Sequence, residues 1–274
     1  MKKYLFHCTS AAVIFALMLT HINGAFRLPL IEEVEEYLYD VRLDWTMPRT
    51  TDDRIVILDL DERSIAAEGH WPWQRDKLAK ITDILFDEYE IRVLAWDMLF
   101  AESEESTAQQ LLDQLEATEG IEAAPLDFEE LRYRYQTDQQ FADANVARNV
   151  ILGFVFKPVV PEREDATSGQ LPIPSLFADQ LQGIDIPFYE AAGFVGAFDL
   201  LQETTEFGAF FSYPRPDDVT RITPLMEAYQ GDVYESLGMS AARLYLGNPP
   251  IQFSFGDDQE LSGLTLENLV IGDK

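Results

Sequence analysis

Cysteine is nearly absent from this chain. Cys8 is the single one in 274 residues, and it lies inside an apolar segment. No intrachain disulfide can staple the fold, and a cysteine-based zinc or redox centre is excluded. Histidine is scarce too, with His7, His21 and His70 the full set. Histidine acid–base chemistry and histidine metal sites therefore have too few groups to work with. The sequence has no Gly-x-Ser-x-Gly elbow, no Walker-type loop and no Gly-x-Gly-x-x-Gly. It has no twelve-residue calcium loop and no internal repeat. Basic residues are also few, 20 Lys and Arg against 49 Asp and Glu.

The acids are not evenly spread. Residues 1–31 contain Lys2, Lys3 and Arg27 and no acid. All 49 acids and the other 17 bases lie in residues 32–274, a net of −32. Such a body repels phosphate backbones and anionic headgroups, which excludes nucleic acid as a partner. The hydrophobic fraction of 47% is enough for a core, which excludes wholesale disorder.

The acid-free head reads as a membrane anchor. Met1-Lys2-Lys3 is followed by Tyr4 to Ile22, with 14 of 19 residues hydrophobic. Nineteen helical residues at ~1.5 Å each span roughly 28 Å, about one hydrocarbon core. Asn23-Gly24-Ala25 is a poor cleavage site, so an uncleaved signal anchor over residues 4–23 is favoured over a removed signal peptide. Lys2 and Lys3 place the N-terminus in the cytoplasm and the body outside.

Ile31, Val34, Tyr37, Leu38 and Val41 have helical spacing and predict a stalk helix within residues 26–45. Met47 to Asp53 is a turn. Arg54 to Leu60 (RIVILDL) predicts a buried strand, Asp76 to Tyr89 a helix, and Ile91 to Phe100 a second buried strand. Asp138 to Arg148 predicts a helix leading into a strand over Val150 to Phe156. Lys157 to Leu171 reads as a surface loop. Phe188 to Asp199 reads as a helix followed by a strand. Gly208 to Tyr213 and Val219 to Tyr229 read as strands of a meander, Val233 to Tyr245 as a helix, and the tail as two short β pieces. These elements predict an α/β fold with a mixed, largely parallel sheet flanked by helices, preceded by one N-terminal transmembrane helix.

Two stretches could carry chemistry. Asp59-Leu60-Asp61 ends an apolar run, as in haloacid-dehalogenase-like phosphatases that use Mg²⁺ between two carboxylates. That alternative lacks the following Thr or Val and a second acidic strand end, since Glu62-Arg63-Ser64 follows and Asp217-Asp218 sits in a turn. The other is Gly69-His70-Trp71-Pro72-Trp73-Gln74-Arg75. Its rings either pack onto the domain while Arg75 pairs Asp61 or Asp97, or form a ligand-facing wall with Arg75 as a donor fork. The packing reading is the favoured one, while the second gains from position, because the loop lies near strand ends, where open α/β sheets bind ligands.

The same residues resemble the type-two CHASE sensor domain, an extracytoplasmic module of bacterial cyclases and histidine kinases. Tyr39-Asp40-Val41-Arg42-Leu43 is similar to its Tyr-Asp-x-Arg start. Ile55 to Ser64 is similar to its strand ending in Asp-(Asp/Glu)-x-Ser, and Gly69 with Trp71 to Arg75 to its Gly-x-Trp-Pro-Trp-x-Arg. Ala95 to Phe100, Asn149 to Leu152, Gly193 to Val195 and Asp217 to Arg221 resemble its later pieces. Gly196 stands where the family often has Asn, Asp218 where it often has Gly, and residues near Gln202 to Arg215 look inserted.

The resemblance implies a sensory domain over residues 32–274, incomplete at its C-terminus, with no catalytic residue, metal or cofactor. The expected ligand-binding residues are Asp61, Trp71, Trp73, Arg75 and Asp97. Asp40, Arg42, Asp217 and Arg221 are expected to be structural. The expected location is the inner membrane, single-pass, with the body on the extracytoplasmic side. The expected partners are the lipid bilayer through the N-terminal helix, a small-molecule ligand, a separate cyclase or kinase output protein, and a second copy as a homodimer.

Overall fold

The computed structural model describes residues 7, 9, 15, 17–21, 23, 29–104, 112, 114, 128–158, 167–181, 186, 188–211, 221, 223–255 and 261–266. The chain divides into two compact units, Met1–Arg63 and Ser64–Lys274.

The first unit is built on helix α1, Pro29–Thr46. Proline is at home in the first turn, where its missing N–H costs nothing. Met47 N–H still reaches Leu43 C=O at 2.7 Å. Pro48 then cannot continue the ladder. In the turn that follows, Arg54 grips Asp52 and holds its carboxyl down at about 2. Most of residues 4–23 falls outside the described residues. Among the described residues no helix is long and apolar enough to cross a membrane, so the expected transmembrane helix is not found there.

The expected strand at Arg54 to Leu60 is also not found. Ile55 to Leu58 are exposed, Ile57 by 87%, and the run joins no ladder among the described residues. β propensity reflects packing against a neighbouring strand more than a backbone preference. The elements described within this unit are helical and offer no strand edge. Helix α2, Glu62–Glu68, spans the unit boundary.

The second unit is the α/β body. Helix α3, Arg75–Asp83, runs into a π-helical turn at Ile84–Glu88, closed by Tyr89 N–H to Ile84 C=O at 3.1 Å. Strand β1 is Leu94–Leu99, followed by helices α4, Phe128–Tyr135, and α5, Thr137–Asn145. Then come β2, Val150–Pro158; β3, Tyr189–Val195; helix α6, Asp199–Thr204; β4, Phe207–Phe210; β5, Met226–Tyr229; β6, Asp232–Glu235; helix α7, Leu237–Tyr245; β7, Ile251–Phe255; and β8, Leu261–Leu266.

The main sheet is mixed. β1 and β4 flank β2 in parallel, and β3 meets the far end of β2 antiparallel. β3 pairs β5 in parallel, and β5 pairs β6 antiparallel. Three of these five pairings are parallel, as the apolar runs predict. β7 and β8 form a separate hairpin.

Three details differ from the sequence reading. Val233 to Glu235, expected to begin a helix, instead pair as β6 with Met226 to Ala228, and the helix starts at Leu237. Residues 188–204 run strand then helix, the reverse of the expected order. Ala191 and Ala192 favour a helix, but pairing of this segment with β2, Ala191 opposite Pro158 and Gly193 opposite Lys157, outweighs that preference. β4 also makes no meander with β5, because its ladder partner is β2.

Two charged anchors hold the body together. Arg148 bridges Asp83 at 2.6 Å and Asp87 at 2.8 Å and lies over the Phe86 ring, tying the end of α3 to the end of α5. Arg243 of α7 grips Glu235 of β6 with two bonds of 2.7 and 2.6 Å. Ser175 donates to the same carboxylate at 2.9 Å, and Glu235 is only 2% exposed.

Removing one partner of such a pair leaves a buried charge. Arg243→Ala is expected to cost about 3–5 kcal/mol by urea unfolding, and the double change Glu235→Gln, Arg243→Met distinctly less. Equal losses would show that the pair itself, and not the stranded carboxylate, carries the effect.

Candidate functional site

The Trp-Pro-Trp loop connects α2 to α3. Gly69 has a φ of +98°, a conformation that favours glycine, and the Trp71–Pro72 peptide is cis. The two Trp rings take different roles. Trp73 is buried, 6% exposed, and its indole Nε1–H donates to the Gly69 carbonyl at 2.8 Å. Lys77 Nζ lies 4.9 Å from its ring centroid and also reaches the Glu68 carboxylate at 3.0 Å. Trp71 is 41% exposed and meets the Trp73 ring edge-on at 6.0 Å. Trp73 is the pin of the loop, and Trp71 is the face it presents.

Arg75 opens α3 immediately after this loop. Gln74, at the N-cap, makes no side-chain cap. The cap comes from afar: Arg75 N–H donates to Glu104 Oε2 at 3.0 Å. Thr137 Oγ1 donates to the same oxygen at 2.7 Å, and Glu104 N–H donates to Asp138 Oδ2 at 2.7 Å. Two carboxylates thus serve two helix starts, where backbone N–H groups and the helix dipole favour negative charge.

The arginine side chain completes the cluster. Its guanidinium sits 4.7 Å from the Phe100 ring centroid, and Nε stands 3.6 Å from Asp138 Oδ1. Both side chains are largely covered, at 12% and 14% exposure. Neither Arg75 Nε nor Asp138 Oδ1 has a hydrogen-bond partner. Burial pushes the Asp138 carboxyl above the usual aspartate range; the Glu104 N–H and Arg75 pull it down, and the Glu104 charge adds to the rise. Beneath lie Trp96, Phe100 and Phe141, with ring centroids 5.3–6.1 Å apart.

The expected site residues fall in different places. Trp71 and Trp73 touch each other. Arg75 does not take Asp97 as its charge partner; Asp97 is exposed on β1, and Asp138 fills that role. Asp61 belongs to the first unit and is exposed there, as is Asp59. The strand that would present these two as a Mg²⁺-binding pair is not formed, so the phosphohydrolase alternative loses its premise. Among the described residues no cluster of acids, His or Cys could hold a metal ion. Asp40 and Arg42 lie on α1, where the Arg42 guanidinium sits 5.6 Å from the Tyr39 ring centroid. Arg221 is half-buried, and Asp217 lies outside the described residues.

The sequence reading missed Glu104, Thr137 and Asp138. One signal was available: Thr137-Asp138 opens a periodic segment with an acid in its first turn. Glu104 carried no signal, sitting among Glu102, Ser103 and Glu105 in a polar stretch.

Asp138 has a folded pKa above its unfolded one, so its contribution to stability is fully present below the unfolded pKa. It is lost as pH rises from about 4 through the raised value. Asp138→Asn is expected to remove that component, so that melting temperature depends less on pH over this window. An unchanged profile would place the titration elsewhere. Trp73→Ala should cost about 3–5 kcal/mol, whereas Trp71→Ala should stay within about 0.5 kcal/mol of wild type in chemical denaturation.

The comparisons agree with the motif spacing. No curated protein and no solved structure matches the chain significantly. The CHASE2 domain model matches residues 11–270, nearly the whole length. The chain belongs to the CHASE2 family, a family of extracellular sensor domains.

Proposed function

We propose that this chain is a membrane-anchored sensory input for signal transduction, with its body on the extracytoplasmic side of the inner membrane. Family membership across residues 11–270 carries the sensor reading. The acid-free head, with Lys2 and Lys3 before an apolar segment, supports the anchor and its orientation. Helix α1 follows that head and is the element through which a change in the body reaches the membrane. A cyclase or kinase output receives it.

The input site in this reading is the Trp71 face and the Arg75–Glu104–Asp138 cluster behind it. Its supporting observation is the incomplete pair of Arg75 Nε and Asp138 Oδ1, both buried and both without a hydrogen bond. Native structures rarely leave buried polar atoms unpaired, so such a pair marks an arrangement that can change. A small-molecule ligand seated on Trp71 can shift this cluster only by the difference in its affinity for the two arrangements. The indole face favours a flat or cationic group over an aliphatic one.

Topology is the decisive measurement. Alkaline phosphatase fused after Lys274 of the full chain is expected to be active and to stay with the membrane after an alkaline carbonate wash. An inactive phosphatase fusion, beside a fluorescent GFP fusion at the same position, would overturn the extracytoplasmic placement. Release by carbonate would overturn the anchor.

A further inference from the structure

Glu227 of β5 is half-buried, and among the described residues no cation or hydrogen-bond donor meets its carboxylate. Burial pushes that carboxyl above the usual glutamate range, and no neighbouring charge pulls it back. Strand alternation says which side of the sheet it is on. Met226, Ala228 and Val233 pack into one layer, with Phe188 against them. Successive strand residues point to opposite faces, so Glu227 and Tyr229 share the other face with Tyr189 and Tyr234. The register sets three of these in one row. Tyr189 is the partner of Glu227 across β3 and β5, and Tyr234 is its partner across β5 and β6. Directly opposed side chains stand about 5 Å apart at Cβ. The carboxylate therefore lies between two tyrosines.

The core fixes most of the rings on this face. Tyr234 is 6% exposed and meets Phe154 and Phe156 edge-on, with centroids at 5.9 and 5.6 Å. Tyr229 stacks on Phe156 at 6.2 Å and meets Phe194 edge-on at 5.4 Å. Burial, with Asp232 and Tyr229 nearby, pushes the Tyr234 phenol up to about 12, so its ring stays neutral. Tyr189, in contrast, is 72% exposed. The row thus runs from a fixed aromatic wall, through an uncompensated carboxylate, to a ring open to solvent.

One ligand chemistry answers all of this. An anion is repelled by Glu227 and by a body with a net charge of −32. A hard metal ion needs several oxygen ligands, and no described cluster supplies them. A neutral ligand leaves the carboxylate without a counter-charge. An alkylammonium ion satisfies both parts, its charge facing the carboxylate and its methyl or methylene groups lying on aromatic faces. We propose that Glu227, between Tyr189 and Tyr234, is a binding site for a small organic cation of the alkylammonium class. This second site lies on the sheet and does not depend on the Trp71 reading.

Isothermal calorimetry on the full chain in maltoside detergent tests this with choline and with dimethylbutanol, the neutral isostere in which carbon replaces the nitrogen. Choline is expected to bind at least about tenfold tighter than the alcohol, and Glu227→Gln to weaken choline at least about tenfold. Glu227→Gln keeps the shape and removes a charge that has no partner, so it should fold as well as wild type. Tyr189→Ala, at an exposed position, is the second variant and should weaken choline severalfold. Glu190 is opposite Ala228 and so lies on the other face, and Glu190→Gln should leave choline binding unchanged. Absence of choline binding, or equal binding of choline and the alcohol, would overturn the site. Equal losses in Glu227→Gln and Glu190→Gln would reduce the effect to the general charge of the body and also overturn it. A loss in Trp71→Ala with none in Glu227→Gln would place the cation on the indole instead. Glycerophosphocholine tells a free cation from a lipid headgroup, and its phosphate should make it bind at least about tenfold weaker than choline beside these carboxylates. Equal or tighter binding of glycerophosphocholine would overturn the free-cation assignment.

Discussion

Seven consecutive residues of β2, Val150 to Phe156, are buried, and the body is arranged to keep them so. A strand covered on both faces needs a layer on each side and a hydrogen-bonded neighbour at each edge. β1 and β4 supply the two edges. On one face Ile151 packs with Ala95, Ala209 and Leu244, which places α7 there. Trp96, one residue on from Ala95, points the other way and meets Phe141 of α5. Phe154 and Phe156 extend the apolar layer to Phe210 and Tyr234. Gly153 shows how tight this is: a Cβ there would lie 2.6 Å from the Trp96 carbonyl and 2.8 Å from that of Met98. β1 shifts register between Trp96 and Leu99, so its backbone comes too close for any side chain.

The same requirement fixes the candidate site. β1 must end beside β2, which delivers Phe100 and then Glu104 to the start of α3. α5 must cover the Trp96 face, which brings Thr137 and Asp138 to the same place. The arginine that opens α3 therefore meets a carboxylate from each of two other segments, 29 residues away through Glu104 and beyond it through Asp138. The cluster is a consequence of covering the strand, and its chemistry comes from which residues happen to stand at those three ends.

The parts legible in the sequence were those whose signal is local. β2 reads from its unbroken apolar run, α3 and α5 from a 3.6-residue period, and the Trp-Pro-Trp loop from composition alone. What failed depended on partners. Arg54 to Leu60 has every strand-like property except a neighbour, and remains exposed. Tyr189 to Val195 has helix-favouring alanines, yet pairing with β2 and β5 makes it a strand. The partner of Arg75 could not be read because Asp138 is one acid among 49. Gly196 is a middle case. The family pattern often has Asn there, whereas in this chain a Cβ would stand 1.9 Å from the Gln170 carbonyl oxygen. The segment at 168–170 crosses β3 closely enough that only glycine fits.

Two of the carboxylates brought inside this acidic body behave in opposite ways. Glu235 is held by two short bonds from Arg243 and one from Ser175, so its charge is fully compensated in place. Asp138 faces its arginine at 3.6 Å without a hydrogen bond, and burial has already raised its affinity for a proton. Charged groups in low dielectric gain most from small changes in separation. A displacement of Arg75 by a fraction of an ångström therefore changes the Asp138 pair much more than a similar shift changes a surface pair. The fold thus holds one acid firmly beneath α7 and leaves another poised at the start of α3 and α5.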